Sequence, residues 1–221
     1  MADIYPVIYL HDRFFVLCAT LNDSIDLQTE LLYFQASMKN RLLQLVLEKA
    51  FKYSKEPVFK LVSGKVSNYY FNCKAITLHP EGMHLIGNLI FDLIKDSDVQ
   101  GIGGLTLGAD PIACAVSYTS YLKGNPIEAF VVRKTAKSHG TMAWIEGNIR
   151  KGDKVVIIDD VITTGKSTIE AINRAKEEGL SVVKVIAFID RQEGGRETIE
   201  ASGYKLDALI TKDEVMDHYK P

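Results

Sequence analysis

Two hydrophobic periodicities alternate along the chain after residue 38. Leu42, Leu45 and Val46 recur at helical spacing near the start of this region,. Short apolar runs predict strands at 102–105, 127–132, 155–158 and 182–189, with a further short segment near 206–210,. Helical patterns lie between them at 80–94, at 111–122 and from 168 onward. Strands that alternate with helices predict an α/β fold, an open and mostly parallel sheet flanked by helices.

The segment that leads up to residue 75 interrupts this alternation. Pro57 is expected to end the first helix,. Residues 59–62 and 69–71 are expected to form short strands around the turn at 63–65,. We expect residues 38–75 to form a small hood over the carboxyl ends of the parallel strands, within a single domain that covers residues 38–221.

Residues 1–37 fit this organisation poorly. Residues 4–21 are apolar and aromatic, but the segment has no basic start and no small-residue cleavage site, which makes it a poor signal peptide,. Residues 30–37 resemble the recognition sequence of a protease that removes expression tags, and Met38 follows at once. We therefore interpret residues 1–37 as a tag remnant or a mis-assigned start, with a genuine extension as the alternative.

Composition and charge exclude several classes of partner. The chain has 221 residues, of which 47% are hydrophobic, enough for one domain with a full core,. A formal net charge of −2 gives no electrostatic reason to bind nucleic acid or an anionic membrane,. No apolar run reaches the roughly 18 residues that span a bilayer. Three cysteines without metal-ligand spacing favour a reducing compartment,. These features predict a cytoplasmic protein.

A buried-strand pattern at 155–158 leads directly into two adjacent carboxylates. Asp159 and Asp160 are followed by small hydroxyl residues, by Gly165 and then by a helical pattern. Backbone N–H groups at such a helix start suit a phosphate, and the carboxylates can accept hydrogen bonds from sugar hydroxyls. Residues 165–167 also look like the end of a nucleotide-binding P-loop, but that motif requires glycine where Asp160 stands. A phosphorylated sugar is therefore the favoured ligand.

Three other loops should meet this stretch, because ligands of open parallel sheets bind beyond the carboxyl ends of the strands. A glycine-rich turn at 103–111 lets backbone N–H groups approach an anion,. A basic loop follows the next strand and contains Arg133, Lys134, Lys137 and His139. A charged loop at 190–197 follows the last long strand. Taken alone, the glycine-rich and charged loops are typical of ordinary turns, and the basic loop is typical of a solvated surface.

Residues 155–167 resemble the phosphoribosyl-pyrophosphate (PRPP) signature of the type I phosphoribosyltransferases. In that family the two acids bind the ribose hydroxyls, and the loop after them holds the 5-phosphate. The basic loop matches the Arg-Lys-x-x-Lys-x-His-Gly pattern of the orotate phosphoribosyltransferases residue for residue, which separates this branch from the purine enzymes. The resemblance extends from about residue 38 to residue 213.

The resemblance implies transfer of the 5-phosphoribosyl group from PRPP to orotate, which gives orotidine 5-monophosphate and pyrophosphate in pyrimidine synthesis. It implies Mg²⁺ as the cofactor, bound mainly through PRPP and without protein side chains as ligands. It also implies a homodimer in which the basic loop reaches the neighbouring subunit's site. The implied PRPP contacts are Arg133, Lys134, Lys137, His139, Asp159, Asp160, Val161, Ile162, Thr163, Thr164, Gly165, Lys166 and Ser167. The first four are also the implied catalytic residues, which would stabilise the departing pyrophosphate.

The remaining implied contacts form a pyrophosphate loop and a base site. The pyrophosphate loop corresponds to Thr106, Leu107 and Gly108, and the orotate site to Thr163, Arg191, Tyr70 and Phe71. The guanidinium fork of Arg191 suits the carboxylate of orotate. Some family members carry a lysine in the pyrophosphate loop, where this chain has none, so backbone amides are expected to serve. Others carry one before the Ser-Gly of the hood, where this chain has Val62, and Lys60 or Lys65 is the candidate to replace it.

Two alternatives stay open on the sequence alone. One is a phosphoribosyltransferase for another base, such as a purine. The other is a non-catalytic PRPP-sensing regulator that uses the same fold. A regulator would need a nucleic-acid-binding surface, and residues 1–37 have few basic residues and no helix-turn-helix pattern,.

Overall fold

The computed structural model describes residues 27–60, 64, 66–137 and 144–220. The chain divides into two compact units, Met1–Phe34 and Gln35–Pro221, and the fold below is that of the second. The helices are α1 (Leu27–Lys49), α2 (Lys74–Thr77), α3 (Pro80–Ile94), α4 (Asp110–Leu122), α5 (Lys166–Glu177), α6 (Gly195–Ala201) and α7 (Lys212–His218). The strands are β1 (Phe51–Tyr53), β2 (Phe59–Lys60), β3 (Val66–Ser67), β4 (Tyr69–Phe71), β5 (Gly101–Leu105), β6 (Glu128–Val132), β7 (Ile145–Gly147), β8 (Lys154–Ile162), β9 (Ser181–Asp190) and β10 (Leu206–Thr211).

Helix α1 begins before Met38 and continues through it to Lys49. Because residues 1–26 lie outside the described residues, the interpretation of residues 1–37 as a tag remnant or a mis-assigned start stays a prediction. Among the described helices, none combines the length and the apolar character that crossing a bilayer requires.

Six strands form one sheet in the order β10-β9-β8-β5-β6-β7. Neighbouring strands run parallel except for β6 and β7, where Val131 pairs with Glu146 in antiparallel register. The predicted open and mostly parallel sheet with flanking helices is therefore confirmed. Strand β7 lies between the strands predicted at 127–132 and 155–158, where the sequence pattern predicted no further strand. It has three residues of which one is buried, too few for a period of two to be visible in the sequence,.

Alternate residues of β8 pack into two separate clusters of buried side chains. Val156 and Ile158 pack with side chains of α1, α3 and α4 on one face of the sheet. Val155 and Ile157 pack with side chains of α5 on the other face. Each of these four side chains is at most 1% exposed, and its burial contributes about 1.5–3 kcal/mol,. Because both faces are covered, this strand is apolar at consecutive positions, as parallel strands commonly are.

Two short antiparallel pairs make up the hood. Strand β1 pairs with β4 so that Phe51 lies opposite Phe71, and β2 pairs with β3. Helix α1 therefore ends well before Pro57, and residues 59–60 pair with 66–67 rather than with 69–71, so both predictions were wrong in detail. Phe51 fits helical spacing as well as it fits a strand, but its ring packs 5.2 Å from the ring of Phe71. This tertiary contact decides the local structure.

The short helices α2, α6 and α7 were not predicted. Helix α7 begins with a capping box, in which Thr211 and Glu214 each accept a hydrogen bond from the other's backbone N–H,. That signal is readable in the sequence. The four-residue α2 carries no comparable signal, and its N-cap, Cys73, makes no side-chain capping bond.

Candidate active site

The carboxyl ends of four parallel strands bring the predicted loops together. A Cβ added to Gly108, after β5, would lie 2.5 Å from Oδ1 of Asp160 in β8. A Cβ added to Gly195, after β9, would lie 2.8 Å from the carbonyl oxygen of Thr163. The loop after β6 contacts α5 through Arg174. The structure thus assembles at one edge of the sheet the loops that the sequence predicted to meet there.

Asp159 joins β8 to the start of α5. Both acids lie within β8, which continues to Ile162, whereas the sequence predicted that they follow the strand. Oδ2 of Asp159 accepts hydrogen bonds from the hydroxyls of Ser167 and Thr168, both at 2.8 Å, and Oδ1 accepts one from the N–H of Asp160 at 3.0 Å. The Asp159 side chain is therefore committed to holding the loop in place.

Asp160 has a different environment. Its Oδ2 lies 3.4 Å from Nζ of Lys74, a half-exposed side chain on α2. Its Oδ1 faces Gly108, where only a glycine fits without displacing the carboxylate,. Lys74 was missed by the sequence analysis, which considered Lys60 and Lys65 instead. Lys65 and Val62 lie outside the described residues, and Lys60 is exposed on β2.

Burial, and then the charge of neighbouring Asp160, raises the pKa of Asp159 to about 6,. Between the ordinary aspartate pKa and this value, the folded protein holds a proton that the unfolded chain has released. Stability is therefore expected to fall as the pH rises through that window and to level off above about pH 6.

The pH dependence of this one group can be isolated by comparing the wild type with Asp159→Asn. The wild type should lose roughly 3 kcal/mol of unfolding free energy relative to the variant between about pH 4 and pH 7. Denaturant unfolding at several pH values measures this difference. A difference that stays constant across the window would contradict the raised pKa.

The first turn of α5 contains the residues predicted to bind the 5-phosphate, here called the predicted phosphate cradle. Gly165 precedes the helix with φ at +79°, a left-handed conformation that favours glycine,. The first N–H groups of this 12-residue helix have no partner within the helix, and the dipole favours an anion there,. Val161 and Thr163 are half-buried, Ile162 is buried, and Thr164 and Lys166 are exposed. Because the Ser167 hydroxyl is bonded to Asp159, a phosphate would be held there chiefly by backbone N–H groups.

The predicted pyrophosphate loop follows β5 directly. The N–H of Thr106 donates to the carbonyl of Val132 at 2.9 Å, and its hydroxyl donates to Oδ2 of Asp110 at 2.7 Å. Leu107 is exposed, and Gly108 faces Asp160. The other carboxylate oxygen of Asp110 is buried and has no hydrogen-bond partner among the described residues. The backbone N–H of Thr106 is thus already used, and the expectation that backbone amides of this loop bind pyrophosphate stays a prediction.

Two cations of the basic loop share one carboxylate. Glu146 on β7 accepts from Arg133 at 2.8 Å and lies 2.6 Å from Nζ of Lys137. Hydrogen bonds from Lys137 and then Arg133 lower the pKa of Glu146. Lys134 is exposed, whereas His139 lies outside the described residues. Glu146 was not singled out by the sequence analysis, because its role depends on a strand that the pattern did not reveal.

Arg174 connects the basic loop to α5, the helix that begins at the predicted phosphate cradle. Its guanidinium donates to the carbonyls of Arg133 and Lys134 and lies 4.0 Å from the ring centroid of Trp144. The backbone N–H of Trp144 donates to Oε1 of Glu178, the C-cap of the same helix. Both described ends of the basic loop are therefore attached to α5. Nothing in the sequence signalled this role for Arg174.

Arg191 lies at the end of β9 and is 5% exposed. Its backbone N–H donates to the carbonyl of Ile162, and its guanidinium carbon lies 4.8 Å from the ring centroid of Tyr69. Of the predicted base contacts, Phe71 is buried in the hood and Tyr70 is 40% exposed. The aromatic ring that contacts Arg191 thus belongs to the residue before the predicted pair.

Comparison with known proteins decides between the alternatives. The phosphoribosyl transferase domain model matches residues 75–215. The orotate phosphoribosyltransferase of Aquifex aeolicus is 46% identical over 178 residues, which cover 80% of this chain and 97% of the relative. The chain belongs to the orotate phosphoribosyltransferase family. Membership confirms the predicted pentosyltransferase class and disfavours both a purine enzyme and a non-catalytic regulator.

Solved structures of the orotate phosphoribosyltransferase family share the fold. The Mycobacterium tuberculosis H37Rv enzyme in complex with Fe(III) dicitrate aligns with a TM-score of 0.72 at 36% identity, covering 80% of this chain and 98% of that chain. The same enzyme in complex with PRPP aligns with a TM-score of 0.67 at 34% identity, covering 81% and 99% of the two chains.

Proposed function

We propose that this chain transfers the 5-phosphoribosyl group from PRPP to orotate, releasing pyrophosphate and forming orotidine 5-monophosphate. The observation that carries this choice of base is the buried guanidinium of Arg191. Its Nε has no hydrogen-bond partner among the described residues. A buried N–H without an acceptor costs about 1–3 kcal/mol. A carboxylate on the base would remove that cost, and orotate has one.

Ribose and its 5-phosphate would bind along the end of β8. Asp160 accepts hydrogen bonds from the ribose hydroxyls, and the residues from Thr163 to Ser167 hold the 5-phosphate through the N-terminus of α5. Val161 and Ile162 support this loop from within the strand. Asp159 mainly fixes the loop, because its oxygens already accept three hydrogen bonds. Thr163 would contact the base, because it follows Ile162, whose carbonyl accepts from the backbone N–H of Arg191.

Breaking the C1–O bond of PRPP builds positive charge on the ribose and negative charge on pyrophosphate. Arg133, Lys134, Lys137 and His139 would stabilise the departing anion. Leu107 and Gly108 would contact it through their backbone N–H groups, whereas the N–H of Thr106 already donates to the carbonyl of Val132. In the structure Arg133 and Lys137 are bonded to Glu146. Binding of PRPP therefore requires that these cations exchange one carboxylate for the more highly charged pyrophosphate.

Mg²⁺ fits the oxygen donors at this site. No group of three or more His, Cys, Asp and Glu side chains within the described residues could enclose a metal. Mg²⁺ commonly keeps several waters and binds through few carboxylates together with substrate phosphates. The free oxygen of Asp110 and the carboxylate of Asp160 are suited to accept hydrogen bonds from such waters. When bound, Mg²⁺ would neutralise part of the pyrophosphate charge.

The test is a spectrophotometric assay of orotate consumption with PRPP, with and without Mg²⁺. We expect turnover with orotate, and none with hypoxanthine or adenine. Arg191→Lys keeps the charge but removes the fork, and should raise the KM for orotate by about tenfold or more. Absence of orotate turnover under all conditions, or turnover of a purine, would overturn the proposal.

We also propose a cytoplasmic homodimer in which the basic loop completes the partner subunit's site. Lys137→Ala and Arg191→Ala should each be inactive alone. In a mixed dimer, one of the two sites would combine an intact loop with an intact Arg191. After subunit exchange, an equal mixture should recover about a quarter of wild-type activity. Exchange without recovery would show that each loop serves its own subunit.

A further inference from the structure

Three side chains connect the hood to the loop after β9. The hydroxyl of Tyr69 on β4 donates to Oε1 of Glu193. Nη2 of the Arg191 guanidinium donates to the same oxygen at 2.9 Å. Burial and then the bond to Glu193 raise the pKa of Tyr69 to about 12, so its hydroxyl keeps its proton at neutral pH,. One carboxylate oxygen therefore joins two elements that are 124 residues apart in sequence.

The backbone around Arg191 is fixed on both sides. Asp190 is fully buried, accepts from the N–H of Gln192 at 2.8 Å and lies 3.0 Å from the guanidinium of Arg196. Gln192 has φ at +55°, a left-handed conformation that is uncommon outside glycine,. Its side-chain amide exchanges two hydrogen bonds with Asp213, each at 2.9 Å. This rigid loop sets the position of Glu193.

Glu193 leaves the Nε–H of the Arg191 guanidinium without an acceptor among the described residues. Nη2 of Arg191 carries two N–H bonds, and Glu193 accepts from one of them,. This Nε–H is therefore left to donate to a carboxylate of the ligand,. An arginine that is free to rotate loses about 2 kcal/mol of side-chain entropy when it is ordered. Holding the side chain in advance removes that cost from ligand binding.

We propose that Glu193, supported by the Tyr69 hydroxyl, is a positioning residue for base binding, which fixes the Arg191 guanidinium with its Nε–H towards the carboxylate of orotate. The inference rests on the proposed function and adds a specific role for two residues of the same site. Neither residue belongs to the predicted set of orotate contacts. Because PRPP is held by other elements, removing Glu193 should affect the two substrates unequally.

The experiment is a double-mutant cycle with both substrates varied. Glu193→Ala should raise the KM for orotate about tenfold, with the KM for PRPP and kcat within about twofold of wild type. Tyr69→Phe keeps the ring against Arg191 and should raise the orotate KM about threefold. The double variant should match Glu193→Ala alone, because the hydroxyl acts through Glu193. Glu193→Gln, which retains an acceptor oxygen, should recover most of the loss.

Glu197→Ala is the matched control, because Glu197 is an exposed acid on α6 and should leave all three constants unchanged. Equal rises in both KM values, a fall in kcat, or multiplying effects of the two single changes would instead indicate general loosening and overturn the positioning role. If Glu193→Ala fails to fold in a thermal unfolding measurement, Glu193→Gln and Tyr69→Phe complete the test. Wild-type protein that does not consume orotate would contradict the proposed function, whereas an active Glu193→Ala with normal constants would contradict only the positioning role.

Discussion

Replacing Asp160 by asparagine is expected to raise the KM for PRPP about 100-fold while the protein stays folded. Asp160 is 7% exposed, and no hydrogen bond from the loop that follows it occupies its side chain. It faces Gly108 of the pyrophosphate loop on one side and Lys74 on the other. An amide replaces one acceptor oxygen by a donor, which would lose charge-assisted hydrogen bonds worth about 3 kcal/mol in total.

Steady-state kinetics with PRPP varied at saturating orotate measure this effect, and thermal unfolding verifies the fold. Asp98→Asn is the matched control. Asp98 is an exposed carboxylate paired with Lys154 at the other end of β8, so its replacement should leave the KM for PRPP unchanged. An Asp160→Asn protein with a normal KM would exclude Asp160 as a ribose ligand.

Replacing Lys137 by alanine is expected to lower kcat by about two to three orders of magnitude, because removing one preorganised donor from developing negative charge has effects of that size. The charge on pyrophosphate grows as the C1–O bond breaks, so the loss should fall on kcat more than on the KM for PRPP. In the structure Lys137 is held by Glu146 together with Arg133. The alanine variant leaves the pair between Arg133 and Glu146 in place.

The comparison that isolates Lys137 uses Lys151→Ala, which removes an exposed lysine from the turn before β8. The control should keep wild-type kcat and KM. Single-turnover measurements with enzyme in excess separate the chemical step from product release. A Lys137→Ala enzyme whose single-turnover rate matches the wild type would remove this residue from catalysis.

The sequence predicted the parts of the fold whose pattern is local. Residues 155–158 were readable as a strand because both faces of β8 are covered, and Pro80–Ile94 was readable as a helix from its apolar spacing and its proline start,. Strand β7 was missed because it is short and its burial comes from pairing with β6. The boundary of α1 was misplaced because Phe51 packs against the distant Phe71.

The same distinction holds for the candidate site. Residues of contiguous motifs, such as Asp160 and Lys137, could be proposed because a motif places them next to recognisable neighbours. Lys74 and Arg174 could not, since their partners lie 86 and 41 positions away in sequence, and the role of Glu193 depends on Tyr69, which lies 124 positions away. Which side chains support a site depends on contacts that form only when the chain has folded.

The attachment of both ends of the basic loop to α5 has a consequence for changing this enzyme. Arg174 donates hydrogen bonds to the carbonyls at the start of the loop, and Glu178 accepts one from the backbone N–H of Trp144 at its end. Helix α5 therefore carries the proposed 5-phosphate site at its first turn and holds both described ends of the basic loop at its last turn and C-cap. Insertions or deletions between Lys137 and Trp144 would change the length of the loop and leave its hydrogen bonds to Arg174 and Glu178 in place. That stretch is accordingly the place to exchange loops between relatives.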